Sequence, residues 1–282
     1  MADIELHVHP FLGKNTINNV VQAMENQDLD IIAMESLDAP LFPFIVEDTK
    51  KEYPTSICDS SGIKLPNGKY FLNAREYNTK EGLHVLTVGY SMDNANPKTE
   101  IRRVIDNGLK NNSLILLDHP FVDNIKTRTA GHISVELEQE LENICREYSG
   151  QVTLEWNGYC IPWMRKGLKY GLNAVGIDTQ YHDVNKRVEE FSAKLMGQGY
   201  NVPVIADTDL HARTKGHLQH MGTSRIITDI EGETPKDIVD SMRKNIFKGN
   251  YENVKQYVSS IHLLGAFCVP IILPKYFKKP RA

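Results

Sequence analysis

The chain has 282 residues, of which 41% are hydrophobic and 24% charged, with a formal net charge of −4 and a sequence pI near 6.2. Its length supports a substantial core, and its composition is that of an ordinary globular protein, which excludes disordered and collagen-like classes. The slightly acidic balance speaks against unspecific nucleic-acid binding, which calls for a basic surface, so no stable nucleic-acid binding is expected.

The first element is the run Asp3-Ile4-Glu5-Leu6-His7-Val8-His9. Apolar and polar residues alternate, so it reads as a strand, and period-2 geometry puts His7 and His9 on one face. Two imidazoles presented together suit a divalent ion such as zinc, manganese or iron. Ile17, Val20, Val21 and Met24 then follow helical spacing. Asp30 to Met34 is a short buried strand with Glu35 directly after it. From 38 to 68 the four prolines Pro40, Pro43, Pro54 and Pro66 predict a long irregular loop, a candidate lid.

Lys69 to Arg75, followed by Glu76, and Leu83 to Tyr90 read as a strand pair, with His84 early in the second strand. Ile101, Val104, Ile105 and Leu109 make a helical face. Leu114 to Leu117 is a strand running into Asp118-His119-Pro120, where the proline ends the ladder. A helical face on Leu137, Leu141, Ile144 and Tyr148 precedes the strand Val152 to Leu154, which Glu155 follows. A strand at Ala174 to Ile177, a helix from Val184 to Met196 and a strand from Val202 to Ala206 lead into Asp207-Thr208-Asp209-Leu210-His211. A strand at Arg225 to Thr228 and a helix opened by Thr234 at the N-cap and Pro235 at N1 complete the order.

Strands alternating with helices imply a mainly parallel sheet, and so many strands suit one distorted α/β barrel. The four cysteines, Cys58, Cys145, Cys160 and Cys268, lie far apart with no C-x-x-C, which points to reduced thiols and a cytoplasmic protein. The apolar stretch from 261 to 277 is interrupted by Pro270 and Pro274, so no membrane span is expected. The tail from 259 to 282 is expected to pack on the barrel or on a partner chain, which leaves room for a homo-oligomer. Residues 1 to 258 are taken as the single barrel domain.

In a barrel of this kind functional groups gather at the C-terminal strand ends. His7 and His9, Glu35, Glu76, Asp118 and His119, Glu155, and Asp209 with His211 all fall there. Such recurrence in one phase points to a shared polynuclear site. Arg128 and Arg213 are candidates to neutralise a phosphate. Asp118 is a candidate to protonate the leaving oxygen.

These motifs, in this order, resemble the polymerase-and-histidinol-phosphatase (PHP) superfamily of metal-dependent phosphoesterases. The matching segments are His7-Val8-His9, Asn73-Ala74-Arg75-Glu76-Tyr77 with Leu83-His84-Val85-Leu86, Asp118-His119-Pro120, Glu155-Trp156-Asn157-Gly158 and Asp209-Leu210-His211, spanning roughly residues 3 to 212. The resemblance implies a distorted (β/α)7 TIM-like barrel with up to three metal ions. It assigns His7, His9, Glu76 and Asp209 to the first ion, with Glu76 bridging to a second completed by His119 and either His84 or Glu155. His211 would serve a third. Where the family has Thr-Asp-His this chain has Glu35-Ser36-Leu37, and Lys14 stands near another missing ligand. Two ions are therefore expected, or a third held weakly with help from Glu35. The implied function is hydrolysis of a small-molecule phosphate ester, a metabolite or nucleotide, by a phosphatase or phosphodiesterase using a metal-bridged hydroxide. An amidohydrolase-type barrel and a non-catalytic metal-binding module are the alternatives.

Overall fold

The computed structural model describes residues 1–12, 14–35, 41–92, 99–122, 133–161 and 183–263. The elements fall in the order β1 (Ala2–His9), α1 (Ile17–Asn26), β2 (Ile31–Met34), α2 (Phe42–Glu52), β3 (Ile57–Asp59), β4 (Gly62–Lys64), β5 (Tyr70–Asn78), β6 (His84–Val88), α3 (Ile101–Lys110), β7 (Leu114–Asp118), α4 (Val135–Glu147) and β8 (Val152–Asn157). They continue with α5 (Val184–Gly197), β9 (Val204–Asp207), β10 (Leu210–His211), a 3-10 turn at Lys215–His220, β11 (Arg225–Thr228), α6 (Pro235–Lys248), β12 (Tyr251–Val254) and α7 (Ser260–Leu263). The segment proposed as a strand at 174–177 lies outside the described residues.

The strands form one sheet whose main path runs β12-β11-β1-β2-β5-β6-β7-β8-β9. It curls until β10, two residues beyond β9, pairs with β1, so the sheet is nearly closed into a TIM-like barrel. Strands β1 with β2, β2 with β5, β7 with β8, and β8 with β9 pair in parallel. The expectation of a mainly parallel sheet needs correcting on either side of β6, which is antiparallel to both β5 and β7, and at β11, which is antiparallel to β1. The cause is local: only five residues, Thr79 to Leu83, connect β5 to β6, too few for the crossover that a parallel pair requires. The loop expected from 38 to 68 also differs. It contains α2, started by Pro43 in its first turn, and the β3–β4 hairpin, whose second strand pairs with Tyr70–Leu72 of β5.

Three apolar layers surround the sheet. Strands β6 to β8 pack outward against α3, α4 and α5 through Val85, Ile105, Leu117, Ile144, Leu154 and Val188. Val8, Ile32, Met34 and Phe71 face α1 and α2. The third layer is the lower barrel interior, where Ile4, Leu6, Ala33, Leu72, Leu86, Leu116 and Ile205 meet Ile238, Val239 and Met242 of α6. Helix α6 closes the bottom of the barrel. Its start is secured by a capping box between Thr234 and Asp237 and its end by Gly249 at φ 75°. Gly89, at φ 95°, leaves room for this plug: a Cβ there would lie 2.9 Å from Val239.

Candidate metal centre

Strand β1 does not alternate regularly. Its pairs with β2 are Ile4 to Ile31, Glu5 to Ile32 and Val8 to Met34, so three steps on β1 answer two on β2. The extra residue is a β-bulge. It lets Leu6 join the interior apolar layer while the next residue, His7, also faces inward, followed by Val8 outward and His9 inward. Regular alternation would have placed the histidines opposite Ile4 and Leu6. The bulge sets them on top of that apolar layer.

His7 and His9, both buried, meet Glu35 from the end of β2: His7 Nε2 is 3.0 Å and His9 Nε2 3.6 Å from Glu35 Oε2. Asp209 Oδ1 lies 3.4 Å from His7 Nε2 and 3.6 Å from His9 Nε2. Glu76 Oε2 is 3.9 Å from His9 Nε2, while its other oxygen faces His84 and, at 3.7 Å, His119 Nε2. Glu76 thus stands between two donor groups. One is His7, His9, Glu35 and Glu76; the other is Glu76, His84 and His119. In each group, one donor atom per residue can be chosen so that all lie within 4.8 Å of one another. His211 falls in a further group with His9 and Asp209, its ring centroid 4.5 Å from that of His9.

His84 reaches the mouth because β6 runs antiparallel. Its register puts His84 opposite Asn78 of β5 and Asp118 of β7, so the first residue of this strand lies where its neighbours end. The strand-end rule read from sequence could not place it.

Glu155 is occupied in a different way. Its Oε1 accepts from His7 Nδ1 at 2.7 Å, and its Oε2 accepts from the backbone N–H of His119 at 2.7 Å and from Asn157 Nδ2 at 3.0 Å. Asn157 also donates to Asp209 Oδ2 at 3.0 Å, which leaves Asp209 Oδ1 pointing at the histidines. Sequence reasoning noted Asn157 only within a motif, and nothing in its local pattern shows that it joins two carboxylates. Asp118 lies buried beside His7 and Glu155. His119 and Asp209 take positive φ values of 27° and 59°, strained conformations for residues with a Cβ and of a kind that collects at functional sites.

Many polar atoms here have no hydrogen-bond partner within the protein: His7 Nε2, both nitrogens of His9, both oxygens of Glu35 and of Asp118, and Asp209 Oδ1. Buried polar groups are ordinarily satisfied, so this concentration of lone pairs around shared points fits divalent cations. The protein's own charges agree. Burial opposes ionised His7, yet the carboxylates of Asp209, Glu35, Glu155 and Asp118 hold its pKa well above the ordinary value. Burial and His211 push His9 down to about 4. Burial raises Glu35 to about 8 and pushes Asp118 well above the usual carboxylate range. Burial also disfavours ionised Glu76, but hydrogen bonds from His119 and His84 hold it low.

The remaining site candidates stand further off. Arg213 is half-buried on the turn after His211, where its backbone N–H donates to His217 Nδ1 at 3.2 Å. Arg128 lies outside the described residues. Lys14 is exposed. Glu35, which the sequence offered as help for a third ion near His211, instead groups with His7, His9 and Glu76.

No family model and no curated protein matches the chain in sequence. Solved structures do match in shape. The lesion-specific endonuclease PfuEndoQ from Pyrococcus furiosus superposes with a TM-score of 0.54 at 14% identity, over 89% of this chain and 57% of that one. PsfC from Pseudomonas syringae PB-5123 gives 0.56 at 13% identity, over 96% and 98%. A two-domain protein from Bacteroides vulgatus containing a predicted PHP-like metal-dependent phosphoesterase gives 0.52 at 12% identity, over 90% and 65%. The chain has the PHP-like barrel fold.

The chain spans only 57% of PfuEndoQ and 65% of the Bacteroides protein. The PfuEndoQ match nevertheless corrects one expectation. The acidic balance predicts no stable nucleic-acid binding and the resemblance a small-molecule ester, yet PfuEndoQ, which shares this fold, is an endonuclease. Net charge is a poor guide here because a cleft's local field, and any cations held in it, decide what an anionic strand meets. Among the described residues no helix is long and apolar enough to cross a membrane.

Proposed function

We propose that the chain is a metal-dependent phosphoester hydrolase acting on the phosphodiester backbone of a nucleic acid. The observation carrying this reading is the convergence of unpartnered His7, His9, Glu35 and Asp209 atoms beside a Glu76 that faces a second donor group. The likeness to PfuEndoQ supports nucleic acid as the substrate class.

In this reading His7, His9, Glu35 and Asp209 would hold one divalent ion and His84 and His119 a second, with Glu76 placed between the two groups. Two such ions would activate a water and neutralise the phosphoryl oxygens. Glu155 takes the Nδ1 proton of His7 as a hydrogen bond, which fixes the tautomer with Nε2 free for the ion. Asp118, whose carboxyl burial pushes well above the usual carboxylate range, is the candidate to protonate the leaving oxygen. Arg213 is a candidate for contacting phosphate.

Elemental analysis of the purified chain should find bound zinc, manganese or iron. Single-stranded and duplex DNA and RNA, with and without lesions, should be hydrolysed in the presence of that metal. Replacing His7 or Glu76 by alanine should lower the rate by about 10³-fold or more, since each removes a ligand of the catalytic ions. Equal rates in the parent and both variants would refute the proposal.

A further inference from the structure

Asp207, the last residue of β9, is fully buried and is not a member of any donor group. Its carboxylate does something else. Oδ2 accepts from the backbone N–H of Leu6 at 3.0 Å and Oδ1 from that of His7 at 2.9 Å, both about 200 residues away in the chain, and Oδ1 also takes a longer bond of 3.4 Å from the N–H of Asp209. Leu6 and His7 are the residues at which the β1 register slips.

The pairing of β1 explains why a side chain is needed. On the edge away from β2, Ala2 to Ile4 pair with β11, and Val8 and His9 pair with β10. Between those ladders Leu6 and His7 have no strand partner, and the bulge turns both their N–H groups to the same side. Two successive buried donors without acceptors would be costly, and a regular strand, which alternates its N–H groups, would escape that cost. A single carboxylate that accepts from both stabilises the bulged form over the regular one.

We propose that Asp207 is a positioning residue for the metal centre: by accepting from two consecutive amides it maintains the bulge that turns His7 into the barrel. It acts through the backbone and touches neither ion nor substrate. The inference rests on the reading that His7 binds a divalent ion.

Co²⁺ alone is a suitable probe, since its absorption reports ligand geometry without any substrate. In Asp207→Asn one acceptor oxygen becomes an amide nitrogen and one N–H loses its partner. The dissociation constant of the tighter Co²⁺ ion should rise by about 10- to 100-fold, as for other residues that orient a metal ligand. The visible band should shift, while the metal-free unfolding midpoint moves by no more than a few degrees. Thr208→Ala, which removes hydroxyl bonds to Ser224 in the same turn, should leave the band in place. If Asp207→Asn does not fold, Asp207→Glu, with both acceptors displaced by a methylene, carries the same expectation. Parental affinity and spectrum in the variant would overturn the proposal. So would an equal change in Thr208→Ala, or failure of both Asp207 variants to fold, since Asp207 would then serve general stability. A parent chain that binds no Co²⁺ would instead refute the metal-centre reading, and this inference with it.

Discussion

The lower and upper halves of the barrel interior are lined by the same strands, yet they differ in almost every physical respect. Below, Ile4, Leu6, Ala33, Leu72, Leu86, Leu116 and Ile205 fill the space against α6. Above, His7, His9, Glu35, Glu76, Asp118 and Asp209 crowd together with many of their polar atoms unpartnered. The lower half gains stability by removing apolar surface from water. The upper half gives up stability, because it buries ionisable groups whose polar atoms the protein itself leaves unpartnered. One barrel can hold both because the boundary is sharp: on β1 it falls between Leu6 and His7, at the bulge.

Three experiments would sharpen or break this division. The largest effect on stability should come from the lower half. Leu116→Ala removes a fully buried side chain and should destabilise the protein by about 2–5 kcal/mol in chemical denaturation, while the number of ions bound stays the same. Loss of an ion in that variant would show that the two halves are not separable.

A smaller effect is expected from Glu155→Gln. The amide cannot accept from His7, His119 and Asn157 together, so metal affinity should fall by about 10- to 100-fold with the fold retained. Titration calorimetry with Mn²⁺ would measure it, and an unchanged affinity would remove Glu155 from the support of His7.

The smallest effect concerns pH. Burial pushes Glu35 up to about 8, so its neutral form is favoured in the folded, metal-free protein. The stability this contributes is complete below its unfolded value near 4 and is lost as pH rises through about 8. His7, held above its ordinary value, has the same sign. His9, pushed down to about 4, costs stability only on acidification below about 6.5. Metal-free protein in chelator should therefore melt a few degrees lower at pH 8 than at pH 6.5, and Glu35→Gln should reduce that difference. A midpoint that rises over this interval would contradict the assigned directions.

Much of the site was legible because its residues sit at the ends of parallel strands, where a short apolar run stops at a polar group. His7, His9, Glu35, His119 and Asp209 are all of this kind, and each could be found from a few neighbouring residues. His84 was ambiguous for the opposite reason: it begins a strand, and only the antiparallel pairing of β6 carries that beginning to the mouth. Asn157 and Asp207 were visible as polar residues at strand ends, but their partners lie 52 and about 200 residues away. The segment from 38 to 68 was misread because its prolines suggested a loop, whereas Pro43 lies in the first turn of α2, where its missing N–H costs nothing.

Local pattern by itself determined the succession of strands and helices, the apolar faces and the residue types available to hold a cation. These follow from periodicity and from steric preferences that act over a few residues. Tertiary structure alone decided the pairing of His84 with Asp118 on β7, the split between Glu76 among the histidine donors and hydrogen-bonded Glu155, and the bulge that puts His7 on the inner face. Each depends on a hydrogen bond or strand pairing made across the barrel, between groups that the chain brings together only when the sheet closes.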